Sequence, residues 1–187
     1  IEAKGGWIGF DRFMELALYA PGMGYYSGGA QKFGAAGDFV TAPEISSAFS
    51  QTLATQAVQI MALSAPQIVE VGAGSGRLAA DLLLELERRN ALPERYAILD
   101  LSGELRARQR ATLGQRAPHL LDYVHWLDRL PETFNGLVLA NELLDAMPVH
   151  LAQWDDAAIL ERGVSARNGE FVWCDRPATG RVLEKAQ

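Results

Sequence analysis

Cysteine is nearly absent: the 187-residue chain holds one, Cys174. A single thiol can neither close an intramolecular disulfide nor build a thiolate zinc site, so Cys174 reads as a small half-buried side chain in a strand. Histidine is scarce as well. His119, His125 and His150 show no HExxH or comparable ligand spacing, and no metal site is expected. No apolar run approaches the roughly 18 residues that span a bilayer, which predicts no membrane insertion. No signal-peptide pattern is visible, and the chain begins at Ile1 rather than Met. Lys and Arg number 17 against 23 Asp and Glu, a net charge of −6, with no basic stripe. Binding nucleic acid through its phosphates needs concentrated positive charge, so nucleic acid is not an expected partner. A reducing, soluble compartment is the default.

What is present is the composition of an ordinary globular domain, 49% hydrophobic and 21% charged. Three stretches differ in texture. Residues 1–65 read as an N-terminal helical extension interrupted by a glycine-rich loop. Phe10, Phe13, Met14, Ala17 and Leu18 recur at helical spacing, and Pro21-Gly22 stops that helix. The loop spans 22–44, and one longer than about 15 residues is more often functional than idle. A second helix is expected over 46–63, with Ser46 as N-cap and Phe49, Leu53, Ala57, Ile60 and Met61 on its inner side. Residues 66–149 alternate strand and helix, with strands at Ile68–Val71, Tyr96–Leu101, Tyr123–Trp126 and Gly136–Asn141. Helices at Arg77–Asn90 and Gly103–Leu113 separate the first three. That alternation predicts an α/β fold with an open parallel sheet. Residues 150–187 change to short strands at Leu151–Trp154, Ile159–Ser165 and Glu170–Trp173, an antiparallel meander with a hairpin turn at Asn168-Gly169.

The strongest chemical signal follows the first of the core strands, in Val69–Gly76 (VEVGAGSG). Glycines there let the backbone turn sharply and lie against a cofactor at the carboxyl end of a strand. The dinucleotide pattern G-x-G-x-x-G/A, begun at Gly72, ends on Arg77, so the NAD fingerprint fails. The observed E-x-G-x-G-x-G, with Glu70 leading Gly72, Gly74 and Gly76, resembles the first motif of Rossmann-like S-adenosylmethionine methyltransferases. In those enzymes the acid helps organise the loop near the methionine amino group. A closely packed βα turn without ligand is the plainer reading. Asp100, at the end of the next core strand, is placed to accept both ribose hydroxyls of a nucleoside, and its neighbour Leu101 lies at the same strand end.

Two further blocks flank this core. Asn141, Glu142 and Asp145 follow the last core strand, where carboxylates could pair with a guanidinium or take a proton from an amine nucleophile. The alternative is helix capping by Asn141 and a salt bridge from Glu142. Gly37–Ser46 (GDFVTAPEIS) is a loop entering a helix, a place that suits anions or simple capping. Its chemistry alone leaves both readings open.

Taken in order, GYYS, GDFVTAPEIS, VEVGAGSGRLAADLL, LDLSGELRARQRATL and NELLDAMPV resemble the mitochondrial complex I assembly-factor protein arginine methyltransferases and their bacterial relatives. The likeness runs from about Ile8 to the region of Trp173, and GDFxTAPExS with NExxDAxP is far more specific than a glycine loop. It implies a Rossmann-like S-adenosylmethionine methyltransferase core with added N-terminal and C-terminal elements. It implies S-adenosylmethionine as cofactor, with Gly72, Gly74 and Gly76 against it and Asp38 and Thr41 closing over it. Asn141, Glu142 and Asp145 are then the catalytic candidates near the substrate, an arginine on a protein such as a respiratory complex I subunit. The expected compartment is the cytoplasm for a bacterial chain and the mitochondrial matrix for a eukaryotic one.

Two departures accompany the resemblance. The family's usual strand-end glutamate is Asp100 here, one methylene shorter. The family is also about twice as long, so the sheet is expected to be incomplete and the chain a fragment. Two rivals stand beside the methyltransferase reading: a non-catalytic respiratory-complex assembly factor retaining a cofactor pocket, and an NAD-linked oxidoreductase, which Arg77 weakens.

Overall fold

The computed structural model describes residues 1–26 and 41–187. Its first elements are β1 (Trp7–Gly9), α1 (Phe10–Tyr19), α2 (Ala42–Ile45), α3 (Ser47–Leu63), β2 (Gln67–Val71), α4 (Arg77–Arg88) and β3 (Arg95–Leu99). There follow α5 (Gly103–Arg116), β4 (Val124–Leu127), β5 (Leu137–Leu139), β6 (Leu151–Trp154), β7 (Ile159–Arg167), β8 (Glu170–Pro177) and α6 (Gly180–Ala186). The chain divides into two units, Gly29–Leu143 and Ile1–Gly28 with Leu144–Gln187. The stretch expected as one extension over 1–65 is therefore shared: α1 belongs with the C-terminal strands, and α3 with the parallel sheet.

In the Gly29–Leu143 unit four parallel strands run in the order β4-β3-β2-β5. Ile68 of β2 stands between Tyr96 of β3 and Leu137 of β5. The chain winds from β2 through α4 to β3 and through α5 to β4, then returns to β5 on the far side of β2. The crevice beyond the carboxyl ends of β2 and β5 is thus the topological switch point, where open α/β sheets bind ligands. β3 ends at Leu99 and β5 at Leu139, shorter than expected, which leaves Asp100 and Asn141 just beyond the strand ends.

The core explains why these segments fold so. α4 buries Leu78, Leu82, Leu83 and Leu86 at helical spacing, over Ile68, Tyr96 and Ile98 of the sheet. Each such large side chain contributes about 1.5–3 kcal/mol by leaving water. Asn90 (φ 54°) stops α4 in the left-handed region, with Asn90 N–H bonding Glu87 O and Ala91 N–H bonding Leu86 O, both 2.9 Å, the double closure of a Schellman end. Ser46 caps α3 as expected, its Oγ accepting from Ala48 N–H at 3.1 Å. The inner face of α3 differs from expectation. Ser50, Ala54, Ala57 and Met61 are buried, whereas Ile60 is exposed and Phe49 half-buried. Small residues let α3 approach α4, and Arg89 of α4 clasps it through Thr55 Oγ1 and the Gln51 carbonyl.

The other unit is an antiparallel sheet around β7, which pairs with β8 on one edge and with β6 and then β1 on the other. Asn168 (φ 52°) and Gly169 (φ 82°) form the turn between β7 and β8, as the dipeptide requires of a type I′ hairpin. Both strands run further than expected, to Arg167 and Pro177. Phe10 and Phe13 of α1 pack on Trp173 and Phe171 of β8, each pair 5.3 Å between ring centroids. Among the described residues no helix is long and apolar enough to cross a membrane.

Candidate functional site

The turn from β2 into α4 is built on left-handed backbone. Gly72, Gly74 and Gly76 have φ of 71°, 54° and 83°, a region that costs other residues about 1–2 kcal/mol each. The three serve different neighbours. A Cβ on Gly76 would sit 2.8 Å from the Cα of Gln109, so Gly76 lets α5 close on the loop. A Cβ on Gly72 would meet Leu143 Cδ1 at 2.9 Å, while one on Gly74 would meet nothing within 4 Å among the described residues. Only at Gly74 does the loop present a bare backbone to open space, the cradle a bound group would fill. The sequence reading treated all three glycines alike.

The block before α3 locks onto the same loop. Ser75 Oγ donates a short hydrogen bond to Glu44 Oε1, and Arg77 donates to the Glu44 carbonyl at 2.9 Å. Arg77, which breaks the NAD pattern, is thereby the clamp that holds α2. Thr41 precedes α2 and offers its carbonyl to Glu44 N–H at 2.9 Å, without a side-chain cap. Asp38 lies outside the described residues.

Beyond β3, Asp100 is 8% exposed. Its Oδ1 accepts from Ser102 N–H at 3.0 Å and its Oδ2 from Gln109 Nε2 at 2.8 Å. An ionised carboxylate offers about four acceptor positions; with the Leu101 backbone also bonding it, capacity remains for a ligand hydroxyl. Burial pushes the Asp100 carboxyl up from its usual range, against the pull of Ser102, Gln109 and Arg106. Leu101 is 87% exposed beside it, an apolar side chain free to cover a flat ring. Glu70, 2% exposed, takes a hydrogen bond from the Tyr96 hydroxyl at 2.7 Å. Burial raises its carboxyl to about 7, the Tyr96 bond lowers it, and the Asp100 charge raises it further. Glu70 is therefore a nearly buried strand acid behind the loop. Gln109 lies inside the LDLSGELRARQRATL block, yet no role attaches to it there, because a single glutamine in a charged helix carries no chemical signature of its own.

After β5, Asn141 is half-buried and Glu142 exposed. No α-helix follows, only a 3-10 turn at Leu144–Ala146, so the capping alternative for Asn141 does not hold. Among the described residues Glu142 forms no salt bridge. Glu142 has φ 54°, strained for a residue with a Cβ and typical of functional positions. Leu143 links this block to Gly72, as above. Asp145 falls in the other unit, where the neighbouring Ala146 carbonyl accepts from the Tyr19 hydroxyl at 2.7 Å.

Although no ligand spacing exists along the chain, the fold gathers Asp11, His150 and Glu161, whose ligand atoms lie within 4.8 Å of one another. His150 Nδ1 pairs with Glu161 Oε1 at 3.0 Å and Asp11 Oδ1 at 3.5 Å, on side chains 52%, 16% and 34% exposed. The arrangement accounts for itself as a hydrogen-bonded surface cluster. A cavity of about 610 Å³ opens at the other end of the parallel strands, lined by Gln67, Arg95, Trp126 and Phe134. It meets the strand-end cluster through Trp126, and through Leu127 and Asp128, which Arg106 bonds.

Comparison with known proteins bears on this cluster. Residues 52–186 match a family model described as "Putative S-adenosyl-L-methionine-dependent methyltransferase". Among curated proteins, "Protein arginine methyltransferase NDUFAF7, mitochondrial" of Danio rerio is 31% identical over 173 residues, covering 79% of this chain and 41% of its own. The Drosophila melanogaster homolog is 33% identical over 174 residues, covering 81% of this chain and 40% of its own. A Burkholderia thailandensis crystal structure bound to S-adenosyl-homocysteine superposes with TM-score 0.88 at 54% identity, over 99% of this chain and 50% of that one. The chain thus spans about two fifths of these curated relatives and half of the solved structure.

Proposed function

The chain belongs to this family of S-adenosyl-L-methionine-dependent methyltransferases, and from that premise we propose that it binds S-adenosylmethionine at the β2–β5 switch point and methylates an arginine nitrogen on a protein. One observation carries the cofactor half. The sole open-sided glycine of the loop, Gly74, and the acceptor-rich Asp100 are joined by one side chain, Gln109, beyond the ends of neighbouring strands. The residues fit the cofactor in kind: bare backbone for close approach, a carboxylate for ribose hydroxyls, and Glu70 behind the loop. The Burkholderia structure, holding S-adenosyl-homocysteine on 54% identical sequence, supports this reading, and the curated relatives' names support arginine.

When bound, S-adenosylmethionine supplies an electrophilic methyl on a sulfonium, so the protein's task is to orient the acceptor and exclude water. In this proposal Glu142 holds the guanidinium by charge-assisted hydrogen bonds and Asn141 orients it. As the nitrogen gains its methyl it sheds a proton, which Glu142 accepts and passes to solvent from its exposed position. Thr41 closes over the cofactor from the segment that Arg77 clamps. The partner in this proposal is a protein such as a respiratory complex I subunit, which the sequence resemblance implies; the relatives' names support a protein arginine acceptor.

Incubating the longest soluble chain containing these residues with methyl-tritiated cofactor and a cell lysate tests the proposal. Label is expected on arginine by mass spectrometry, and Glu142→Gln is expected to lower incorporation at least 100-fold with cofactor affinity kept. Label confined to another residue type would overturn the arginine reading. Undiminished cofactor binding with no label in any protein would favour an assembly factor that merely retains the pocket.

A further inference from the structure

Building on the nucleoside reading of Asp100, we infer that Gln109 is a positioning residue that presets the ribose acceptor and ties it to the glycine loop. Gln109 is completely buried on α5, and each of its polar atoms is used. Its Nε2 donates to Asp100 Oδ2 at 2.8 Å and to the Gly74 carbonyl at 3.2 Å. Its Oε1 accepts from the Trp126 indole at 2.9 Å.

The direction of the amide follows from chemistry. An indole N–H can only donate, so the Gln109 oxygen must face Trp126. Its two N–H groups are then forced toward Asp100 and Gly74, both acceptors. Trp126 is itself held by the Arg110 guanidinium, 4.1 Å above the ring. A flipped amide would set oxygen against carboxylate and nitrogen against indole, so only one orientation satisfies every group.

The consequence falls on Asp100. Burial drives its carboxyl toward the protonated form, and the Gln109 bond is among those that oppose this. A hydrogen bond to the charged form favours ionisation. Gln109 therefore keeps Asp100 an acceptor-only group in one rotamer, with its free positions facing the ligand. The same amide holds the Gly74 carbonyl, and Gly76 packs on the Gln109 backbone at a spacing no other residue permits. Displacing Gln109 thus falls chiefly on the ribose end, since its bond to Asp100 is 2.8 Å and that to the Gly74 carbonyl a weaker 3.2 Å. A glutamate in its place would aim a carboxylate at Asp100 and at a carbonyl.

The test is calorimetric titration of S-adenosylhomocysteine, and of its analogue lacking the 2′ and 3′ hydroxyls, into the full chain, Gln109→Met, Asp100→Asn and the double variant. Melting temperature is recorded for each. Gln109→Met is expected to weaken S-adenosylhomocysteine at least 10-fold, yet to change the dideoxy analogue less than 3-fold. In the Asp100→Asn background the same change should cost less than 3-fold. Equal losses for both ligands, or full losses in both backgrounds, would mark a merely structural residue and overturn the assignment. If Gln109→Met does not fold, Trp126→Phe, which removes only the orienting donor, is expected to show the same ligand dependence at about 3-fold or more. Uniform affinity there would equally refute it. Failure of the unmodified chain to bind S-adenosylhomocysteine would instead sink the cofactor reading beneath it, a distinguishable result.

Discussion

Replacing Glu70 with glutamine isolates the energetic cost of a buried acid behind the loop. Glu70 is 2% exposed, and its carboxyl titrates at about 7 in the folded chain against 4.5 when free. Between those values the folded state holds a proton that the unfolded state has released, so stability falls as pH rises through this window. A difference of about 2.5 pH units at 1.36 kcal/mol each is about 3 kcal/mol, present in full below pH 4.5 and lost by pH 8. Glutamine keeps the shape and still accepts from the Tyr96 hydroxyl, but it has no charge to bury. Urea unfolding followed by circular dichroism at pH 5, 6, 7 and 8 should show Glu70→Gln gaining about 3 kcal/mol on the natural chain across the series. Tyr96→Phe, by removing the bond that favours the charged form, should extend the natural chain's loss to higher pH. Parallel stability curves for Glu70→Gln and the natural chain would refute the reasoning.

The glycine loop makes two contrasting predictions. Gly76→Ala brings a Cβ within 2.8 Å of the Gln109 Cα at φ 83° and should destabilise the chain by about 2–4 kcal/mol in urea unfolding, from overpacking and left-handed strain together. Gly74→Ala meets no atom of the described residues within 4 Å and should cost only about 1 kcal/mol, while weakening S-adenosylhomocysteine at least 10-fold by calorimetry. Glu142→Gly relieves a backbone at φ 54° and should raise stability by about 1 kcal/mol while abolishing methyl transfer.

Much of the parallel sheet was legible in the sequence because buried strands are short apolar runs separated by helices of clear period. Asn168-Gly169 was legible because few residues tolerate two successive left-handed positions. The inner face of α3 was legible only in part: Ala57 and Met61 are buried as expected, but the small Ser50 and Ala54 are buried where the larger Phe49 and Ile60 were expected. Asp100 was found from its place at a strand end, but Gln109 was not. Its importance comes from three hydrogen bonds to groups distant in sequence, and no local pattern records them. The same holds for Asp11, His150 and Glu161, gathered by β-sheet register rather than by spacing. For Glu142 the residue type was visible and its strained backbone was not. The pairing of α1 with the C-terminal strands was hidden because it rests on aromatic contacts made more than a hundred residues apart.

The central claim is that the β2–β5 switch point takes S-adenosylmethionine. Calorimetric titration of S-adenosylhomocysteine into the longest soluble chain containing these residues, against NAD as control, tests it most directly. The account predicts one site of micromolar affinity for S-adenosylhomocysteine and no heat with NAD. Absence of binding, or an equal response to NAD, would contradict it.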